Sequence, residues 1–381
     1  MARSKTLLFV RYTSGDCWKR TGLGWAQRHN PNGFSFRAPS SKFGRLPFRR
    51  HLHVPTVLAP PVIFAGLFVF LWCWKCTMLV LFQNTIIYNP FLPPNARYLT
   101  IAEYASQCGG VVWREEHIRS LDGTQLALCV TEIGVSTTHA SRSLVYILYM
   151  QGNASSLPPR LPDISWVLRR IQASGAAIEL TMVCVSYRGY WKSHDRPSER
   201  GINQDTEAAL RWIAALHVKK ADSRPDVKPC ILLWGQSIGC ALATRLAATT
   251  DVPVHGLILE TPFLSARAML QALYPQKWLP YRYLWPFLRN KLDSWTNLGM
   301  LACRRTEGRM PRVYMIEAGR DELVPASHGE TLQQRCLEVG LPIERHKIRG
   351  ALHNDASVRA EGKAAIAQSI LSAIQPRRHL K

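Results

Sequence analysis

Residues 234–239, which read Trp-Gly-Gln-Ser-Ile-Gly, constrain the fold more than any other part of the sequence. The apolar run 231–234 predicts a buried strand, and residues 241–248 predict a helix. A Gly-x-Ser-x-Gly sequence between a strand and a helix is typical of a sharp turn that exposes the serine hydroxyl at the edge of a sheet. We therefore predict that Ser237 is a nucleophile. The other residues of this elbow are Gly235, Gln236 and Gly239.

Short apolar runs alternate with helical segments from about residue 98 onward. The runs that predict buried strands are 144–150, 181–186, 230–234, 256–260, 312–317 and 343–348. Asp122-Gly123 stands between two alternating stretches and predicts a hairpin turn. Between the strands, segments such as 205–217 place their apolar residues on one face, as amphipathic helices do. The alternation predicts an α/β fold with a mostly parallel, twisted sheet and helices on both faces.

Two residues later in the chain are candidates for activating the serine, because a serine hydroxyl is a poor nucleophile until a positioned base takes its proton. Asp321 follows the predicted strand 312–317, and His353 follows the predicted strand 343–348. The order Ser, Asp, His suits a general base at His353 and an acid at Asp321 that orients its imidazole. Other acids are less well placed after a strand, namely Asp293, Glu322 and Asp355.

Two backbone amides are candidates for stabilising negative charge on a substrate oxygen. One such donor is usually the residue after the nucleophile, here Ile238, and another comes from a loop after an earlier strand. In the loop after 144–150, Gly152 would allow a close backbone approach and leave the amide of Asn153 pointing inward. Asn153 also begins an Asn-x-Ser glycosylation sequence. We favour an oxyanion hole formed by Asn153 and Ile238, because a glycan would block the site.

Residues 54–82 are almost entirely apolar, and their only charged residue is Lys75. About 20 apolar residues suffice to cross a bilayer as a helix, so we predict one transmembrane anchor here, with Lys75 near an interface. Three arginines at 45–50 precede the segment, whereas only Arg97 follows it closely. The positive-inside rule then predicts a cytosolic N-terminus and an extracytosolic catalytic domain, at the endoplasmic reticulum or another endomembrane.

Residues 1–53 are basic and poor in acids. Up to Arg50 they contain three lysines and eight arginines against the single acid Asp16. This composition predicts a disordered or targeting segment, and a mitochondrial presequence remains an alternative. The formal net charge of the whole chain is +22. Because the charge outside 1–53 is dispersed, we expect a basic surface near lipid headgroups and no nucleic-acid partner.

The ten cysteines are scattered along the chain, mostly inside apolar runs. Cys73 and Cys76 have the spacing of a redox or zinc pair, but no second pair or Cys/His cluster accompanies them. Cys129, Cys184 and Cys230, together with Cys240, fit buried core thiols. We predict no metal site and no cofactor.

Several motifs follow one another in a fixed order after the apolar segment. They are Gln83-Asn84 with Tyr88, Pro93-Pro94, Gly152-Asn153, Tyr187-Arg188-Gly189-Tyr190, Pro197-Ser198-Glu199-Arg200-Gly201 with Asp205, the elbow, Asp321 and His353-Asn354-Asp355. On these motifs the chain, from about Phe82 onward, resembles the membrane-anchored α/β-hydrolase-domain proteins of the bud-emergence type. That group is related to serine-aminopeptidase-like and monoacylglycerol-lipase-like hydrolases. The resemblance implies an α/β-hydrolase fold over residues 98–381.

The chain departs from this family at two places. Gln151 stands where the family usually has His, and Trp191 stands where small residues are usual. A backbone oxyanion donor does not need the His, but we expect Trp191 near the mouth of the site, where it would narrow the acyl pocket. We also expect a structural ion pair between Arg188 and Asp205.

Residues 262–290 interrupt the alternation with six aromatic residues between Tyr274 and Phe287 and resemble a short cap over the site. The aromatic faces could hold an acyl chain or rest near a membrane, and an ordinary packed insertion is the alternative.

The leading hypothesis is a serine hydrolase that cleaves an acyl ester, thioester or amide through a Ser-His-Asp triad and an acyl-enzyme intermediate. Its partners would be the lipid bilayer and an acyl-bearing small molecule or lipidated substrate. One alternative is a protein depalmitoylating thioesterase, which conflicts with the predicted topology because palmitoylated cysteines face the cytosol. Another is a non-catalytic membrane scaffold with a vestigial hydrolase fold.

Overall fold

The structure is a computed structural model that describes residues 55–134, 143–221, 228–304 and 310–374. The basic segment predicted over 1–53 lies outside these described residues. The chain divides into two compact units at residue 58, and the first is described only for a turn at 55–58. All that follows concerns the second unit, Ala59–Lys381.

Eight strands form one sheet in the order β1-β2-β4-β3-β5-β6-β7-β8. The strands are β1 Arg114–Arg119, β2 Gln125–Gly134, β3 Ser143–Met150, β4 Ile178–Val185, β5 Cys230–Gln236, β6 Gly256–Glu260, β7 Arg312–Ala318 and β8 Ile343–Ile348. β1 pairs antiparallel with β2 through the turn at Asp122-Gly123, and β2 pairs antiparallel with β4. All other neighbours are parallel, which confirms the predicted mostly parallel sheet.

Helices cover both faces of the sheet, because the buried strands are apolar on both sides. The helices are α1 Ala59–Leu81, α2 Gln83–Tyr88, α3 Ile101–Tyr104, α4 Leu161–Ala173, α5 Glu199–Ala221, α6 Ile238–Thr249, α7 Ala266–Leu273, α8 Ser294–Cys303, α9 Ala326–Glu338 and α10 Ala360–Ile374. In β3 the even-numbered residues from Leu144 to Met150 join the core under α5, α6, α8 and α9. The odd-numbered residues from Val145 to Tyr149 join the core under α4 and α10. This period of two is the strand geometry that the sequence pattern predicts.

Helix α1 coincides with the predicted anchor. Its 23 residues are long and apolar enough to cross a membrane, and none of them is fully buried in the protein. A buried core helix would pack most of its surface against the protein, so α1 is a candidate membrane span.

A buried ion pair joins the hairpin turn to the helical layer. Arg188 Nη2 donates to Asp205 Oδ1 at 2.7 Å, and both side chains are almost inaccessible to solvent. Arg188 Nη1 also donates to Asp122 Oδ2 at 2.7 Å, and this bond lowers the pKa of Asp122 to about 2. The expected structural pair between Arg188 and Asp205 is confirmed. Ser120 Oγ also donates a hydrogen bond to Asp205.

The expectation for Trp191 is wrong. Its side chain is 1% exposed and belongs to the core on the α4 side of the sheet, away from the pocket described below. Its indole N–H donates to the Leu99 carbonyl at 2.6 Å. This hydrogen bond and the packing around the ring hold it in the core, and the backbone at Trp191 is left-handed, with φ of 38°. Trp191 is thus a core residue.

Asp205→Ala should reduce the free energy of unfolding by about 3 kcal/mol or more, because it leaves the buried guanidinium of Arg188 short of its main partner. Glu207→Ala on the same helix is the matched control. It breaks only the exposed pair with Arg211, and we expect a change within about 0.5 kcal/mol. Denaturant titration of the detergent-extracted protein would measure both, and equal effects would contradict a structural role for the buried pair.

Candidate active site

Ser237 lies at the turn between β5 and α6 with φ of 50° and ψ of −112°. A positive φ at a residue other than glycine costs on the order of 1–3 kcal/mol and persists only where the surroundings impose it. Here the Ser237 amide donates to the Glu260 carbonyl at 2.9 Å, and the Cys240 amide donates to the Ser237 carbonyl at 2.9 Å. The strained turn is therefore held on both sides by backbone hydrogen bonds.

The two elbow glycines leave room for this turn. A Cβ at Gly235 would collide with the backbone of Gly239, and a Cβ at Gly239 would collide with the backbone carbonyls of Met150 and Gln151. Because backbone atoms cannot move aside as a flexible side chain can, both positions require glycine. Gly152 differs, since a Cβ there would reach only ordinary contact with the Gln236 side chain at 3.4 Å.

Three side chains from three separate loops meet at the elbow. Ser237 Oγ lies 3.1 Å from His353 Nε2, and His353 Nδ1 lies 2.9 Å from Asp321 Oδ2. Asp321 follows β7, and His353 follows β8, so both residues stand beyond the carboxyl ends of parallel strands. His353 is buried, whereas Ser237 is half-buried and faces a pocket. The structure thus brings these three residues into one hydrogen-bonded chain.

The acid of this chain is held in its ionised form. Burial raises the pKa of Asp321, but hydrogen bonds from His353 and from the amides of Val324 and Leu323 outweigh burial and leave its pKa lowered. Asp321 Oδ1 accepts those amides at 2.7 Å and 2.9 Å. A carboxylate with these partners has a fixed orientation toward the imidazole.

The alternative acids have other partners. Asp293 caps α8 by accepting from the Thr296 amide, and Glu322 accepts from the His353 amide at 2.9 Å. Asp355 accepts from the Leu352 amide at 2.5 Å and pairs with Arg359. Asp321 alone among these carboxylates contacts the ring of His353 within the described residues.

Two residues beside Ser237 have backbone amides without a protein acceptor among the described residues. The amide of Ile238, the first residue of α6, has no acceptor among the described residues, and neither has the amide of Asn153. Both residues line the pocket together with Ser237 and His353. The first turn of a helix leaves its N–H groups without intrahelical partners, which explains why the Ile238 amide is free.

The loop that contains Asn153 is held by the chain just beyond α1, a contact that the sequence analysis missed. The Ala154 amide donates to the Tyr88 carbonyl at 3.1 Å, and the Ser155 amide donates to the Leu92 carbonyl at 2.5 Å. Ala154 and Ser155 are both left-handed, with φ of 59° and 64°. The sequence motif that includes Tyr88 drew attention to this segment, but it did not indicate that the segment supports the loop of Asn153.

Polar groups also join α2 to the last residues of the cap. The Arg289 amide donates to Gln83 Oε1 at 2.7 Å, and Asn290 Nδ2 donates to Asn84 Oδ1 at 2.7 Å. Tyr88 Oη donates to Asn290 Oδ1 at 3.0 Å. Gln83, Tyr88 and Asn290 are buried, so this cluster fixes α2 against the cap. We call Gln83, Asn84, Tyr88 and Asn290 the anchor latch.

A buried carboxyl group lies behind the elbow. Burial raises the pKa of Glu260, whose Oε1 accepts from Gln236 Nε2 at 2.9 Å, while Tyr149 Oη donates to Gln236 Oε1 at 3.1 Å. These two hydrogen bonds explain why the Gln236 side chain points away from the pocket. They also hold the strand end from which Ser237 projects.

The described residues contain no group of three or more His, Cys, Asp or Glu side chains that could hold a metal ion. Cys129, Cys184 and Cys240 are buried, whereas Cys230 is only half-buried. Burial raises the pKa of the Cys230 thiol to about 11, which keeps it protonated at neutral pH.

Comparisons with known proteins agree with this architecture, although no protein-family model matches the chain. It is 27% identical over 305 residues to the uncharacterized protein Rv2307c of Mycobacterium tuberculosis, covering 79% of this chain and 88% of that protein. It is 33% identical over 129 residues to protein bem46 of Schizosaccharomyces pombe, covering 34% of this chain and 38% of that protein. It is 30% identical over 216 residues to lysophosphatidylserine lipase ABHD12 of Danio rerio, covering 53% of this chain and 50% of that protein.

Among solved structures, an α/β hydrolase from Vibrio vulnificus superposes with a TM-score of 0.55 at 19% identity, covering 77% of this chain and 92% of that one. This similarity shows the α/β-hydrolase fold. The relatives fit a protein of the bud-emergence type, which confirms the resemblance that the motifs indicated. The chain spans half or less of the yeast and zebrafish proteins, so their activities are not transferred by similarity alone.

Gly239→Ala should destabilise the protein by about 1–3 kcal/mol, because the added methyl group has only backbone carbonyls to meet. Gly134→Ala is the matched control, since its Cβ would meet nothing within 4 Å and its φ is not left-handed. Thermal unfolding of the extracted protein would compare the two. A Gly239→Ala protein as stable as the control would mean that the elbow is less closely packed than described.

Proposed function

We propose that this chain, an α/β hydrolase that fits the bud-emergence type, is a serine hydrolase that cleaves acyl esters of lipid-like substrates. The observation that carries the proposal is the hydrogen-bonded chain Ser237, His353 and Asp321 beside an apolar pocket that Asn153 and Ile238 also line. The lipase and esterase names among its relatives support a hydrolase of the ester type.

In the first half of the reaction, Ser237 Oγ attacks the acyl carbonyl carbon while His353 Nε2 takes the hydroxyl proton. The carbonyl π electrons move to oxygen, and the amides of Asn153 and Ile238 donate to the resulting oxyanion. Asp321 accepts from His353 Nδ1 and stabilises the imidazolium. The intermediate collapses, the alkoxy group takes the proton from His353 Nε2, and the acyl chain stays on Ser237.

In the second half, water replaces the departed alcohol. His353 Nε2 takes one proton from the water as its oxygen attacks the acyl-enzyme carbonyl, and the same two amides hold the second oxyanion. Collapse of this intermediate breaks the bond to Ser237 Oγ, which recovers its proton from His353. The products are a free carboxylic acid and the regenerated enzyme.

The pocket favours an apolar acyl group. Its volume is about 300 Å³, and its lining is apolar except for five residues. Those five are Gln83, Asn153, Ser237, Tyr274 and His353. Burying one methylene group contributes about 0.8 kcal/mol, so each added carbon that fits should strengthen binding. This volume is at the lower end of the range for ligand pockets, so the pocket suits a single acyl chain.

Membrane association follows from α1 together with a relative of Saccharomyces cerevisiae that is described as a membrane protein. We further propose that the N-terminus is cytosolic and the hydrolase domain extracytosolic, as the flanking charges indicate. In that orientation, the substrate would be a lipid of the extracytosolic leaflet rather than a palmitoylated cytosolic protein.

Ser237→Ala should abolish labelling by a fluorophosphonate probe and reduce ester hydrolysis on the order of 10⁴-fold or more, because it removes the attacking oxygen. Ser174→Ala, an exposed serine beyond α4, is the matched control and should label like the wild type. Gel fluorescence of the membrane-extracted proteins would measure the labelling. A folded wild type that does not label would favour the non-catalytic scaffold.

Asp321→Asn should reduce kcat on the order of 10⁴-fold while sparing the fold, because an amide cannot stabilise the imidazolium. Asp293→Asn is the control, since asparagine still caps α8.

The same variant predicts a pH dependence of stability. Because the folded-state pKa of Asp321 is lowered, its ionised form stabilises the protein above the ordinary value of about 3.9. That stabilisation is lost as the pH falls through the folded-state pKa. The melting temperatures of wild type and Asp321→Asn should therefore differ near pH 7 and converge in acid. A difference that grows in acid would contradict a lowered pKa.

A further inference from the structure

The burial of α1 changes abruptly along its length. Residues 60–71 are all exposed, whereas from Trp72 onward one face of the helix is half-buried. Trp72, Cys76 and Leu79 define this face, with the spacing of three to four residues that lines one side of a helix. Only the last three turns of α1 therefore pack against protein.

The partner of this face is the cap. The rings of Trp72 and Trp278 lie 5.8 Å apart, and Lys75 Nζ lies 4.4 Å from the ring centroid of Tyr281. Lys75 Nζ also lies 5.5 Å from the ring centroid of Tyr274. The single charge of the apolar segment thus contacts aromatic faces of the cap, where cation–π attraction offsets part of its desolvation.

The length of the free part of α1 places the cap relative to a bilayer. Residues 59–71 rise about 20 Å at 1.5 Å per residue. The hydrocarbon core is about 30 Å thick, so a helix that crosses it needs about seven more residues, which include Trp72 and Lys75. The cap surface packed beside these residues must then lie at the level of one leaflet.

The outer surface of the cap suits that position. Leu273, Trp278, Tyr283 and Phe287 are each more than half exposed. The cap residues 262–290 contain four lysines and arginines and no acid. Arg267 stacks on Trp285 with its guanidinium carbon 3.9 Å from the ring centroid. Exposed tryptophan and tyrosine beside basic residues are typical of surfaces at the level of lipid headgroups.

The pocket continues from the catalytic groups to this surface. Leu79 and Val80 of α1 and Ile86 of α2 form one wall, and α7 forms the opposite wall with residues that include Leu273. Ile86 and Leu273 are more than half exposed, so the pocket reaches the surface between the anchor and the cap. The anchor helix is therefore part of the pocket and not only a tether.

We propose that the pocket opens into the bilayer between α1 and α7, and that the acyl chain of a membrane lipid enters laterally along this opening to reach Ser237. This inference rests on the proposed function. The occupant is a lipid chain rather than a soluble ester, because the opening lies beside the membrane-crossing helix and both of its walls are apolar. An acyl chain that moves from the bilayer to such a pocket never exposes its methylene groups to water, so entry avoids the cost of hydrating them.

The first test uses the full chain in phosphatidylcholine vesicles that contain a long-chain fluorogenic ester, with a soluble short-chain ester assayed in parallel. Val80→Trp adds bulk to the wall supplied by α1. We expect the ratio of the vesicle-ester rate to the soluble-ester rate to fall at least tenfold. Leu67→Trp, at an exposed position on the same helix beyond the cap, is the matched control and should keep the wild-type ratio.

Fluorophosphonate labelling of Ser237 verifies the fold of each variant. An unchanged ratio in a labelled Val80→Trp protein would overturn the proposal, as would equal loss on both esters, because lateral entry affects only the bilayer substrate. A wild type that labels but prefers the soluble ester would also overturn it. A wild type that neither labels nor cleaves either ester would contradict the proposed function itself.

A second measurement tests the position of the cap without any catalysis. Lipids brominated on their acyl chains quench tryptophan fluorescence at short range, and the contribution of Trp278 is the difference between wild type and Trp278→Phe. We expect that contribution to be quenched by at least half in brominated vesicles. An unquenched contribution would place the cap outside the leaflet and overturn lateral entry, whatever the enzyme cleaves.

Discussion

The left-handed turn at Ser237 is the constraint on which the rest of the site depends. It exists because Gly235 leaves no room for a side chain against Gly239 and Gly239 leaves none against the end of β3, and because the Ser237 amide donates to the Glu260 carbonyl. Its strain has two consequences. The hydroxyl projects from the sheet edge toward His353, and Ile238, which lines the pocket, becomes the first residue of α6, whose amide has no intrahelical acceptor.

The parallel sheet supplies the remaining groups, because the carboxyl ends of parallel strands meet at one edge. The loops after β3, β7 and β8 bring Asn153, Asp321 and His353 to that edge, although as many as 200 residues separate them along the chain. Backbone amides of Ala154 and Ser155 hold the first of these loops, and those of Leu323 and Val324 fix Asp321 in the second. The site is therefore built mainly from main-chain geometry, with few side chains beyond those that face the substrate.

The apolar helix α1 is joined to this geometry at two places. The anchor latch fixes α2 against the cap, and the segment beyond it accepts hydrogen bonds from the loop that holds Asn153. A shift of α1 would therefore displace both the pocket wall that it forms and the loop that contains Asn153. This coupling gives a physical reason for a hydrolase domain and an apolar helix to form one compact unit.

The sequence by itself determined the local features. Periodicity predicted the strands and the mostly parallel sheet, an apolar run predicted α1, and motif order singled out Ser237, Asp321 and His353, because each depends on neighbours along the chain. Only the tertiary structure decided which acid meets the imidazole, why Trp191 is a core residue, and that Leu79 and Val80 line the pocket. Those contacts join residues far apart in sequence, and their distances follow from how strands and helices pack rather than from any local pattern.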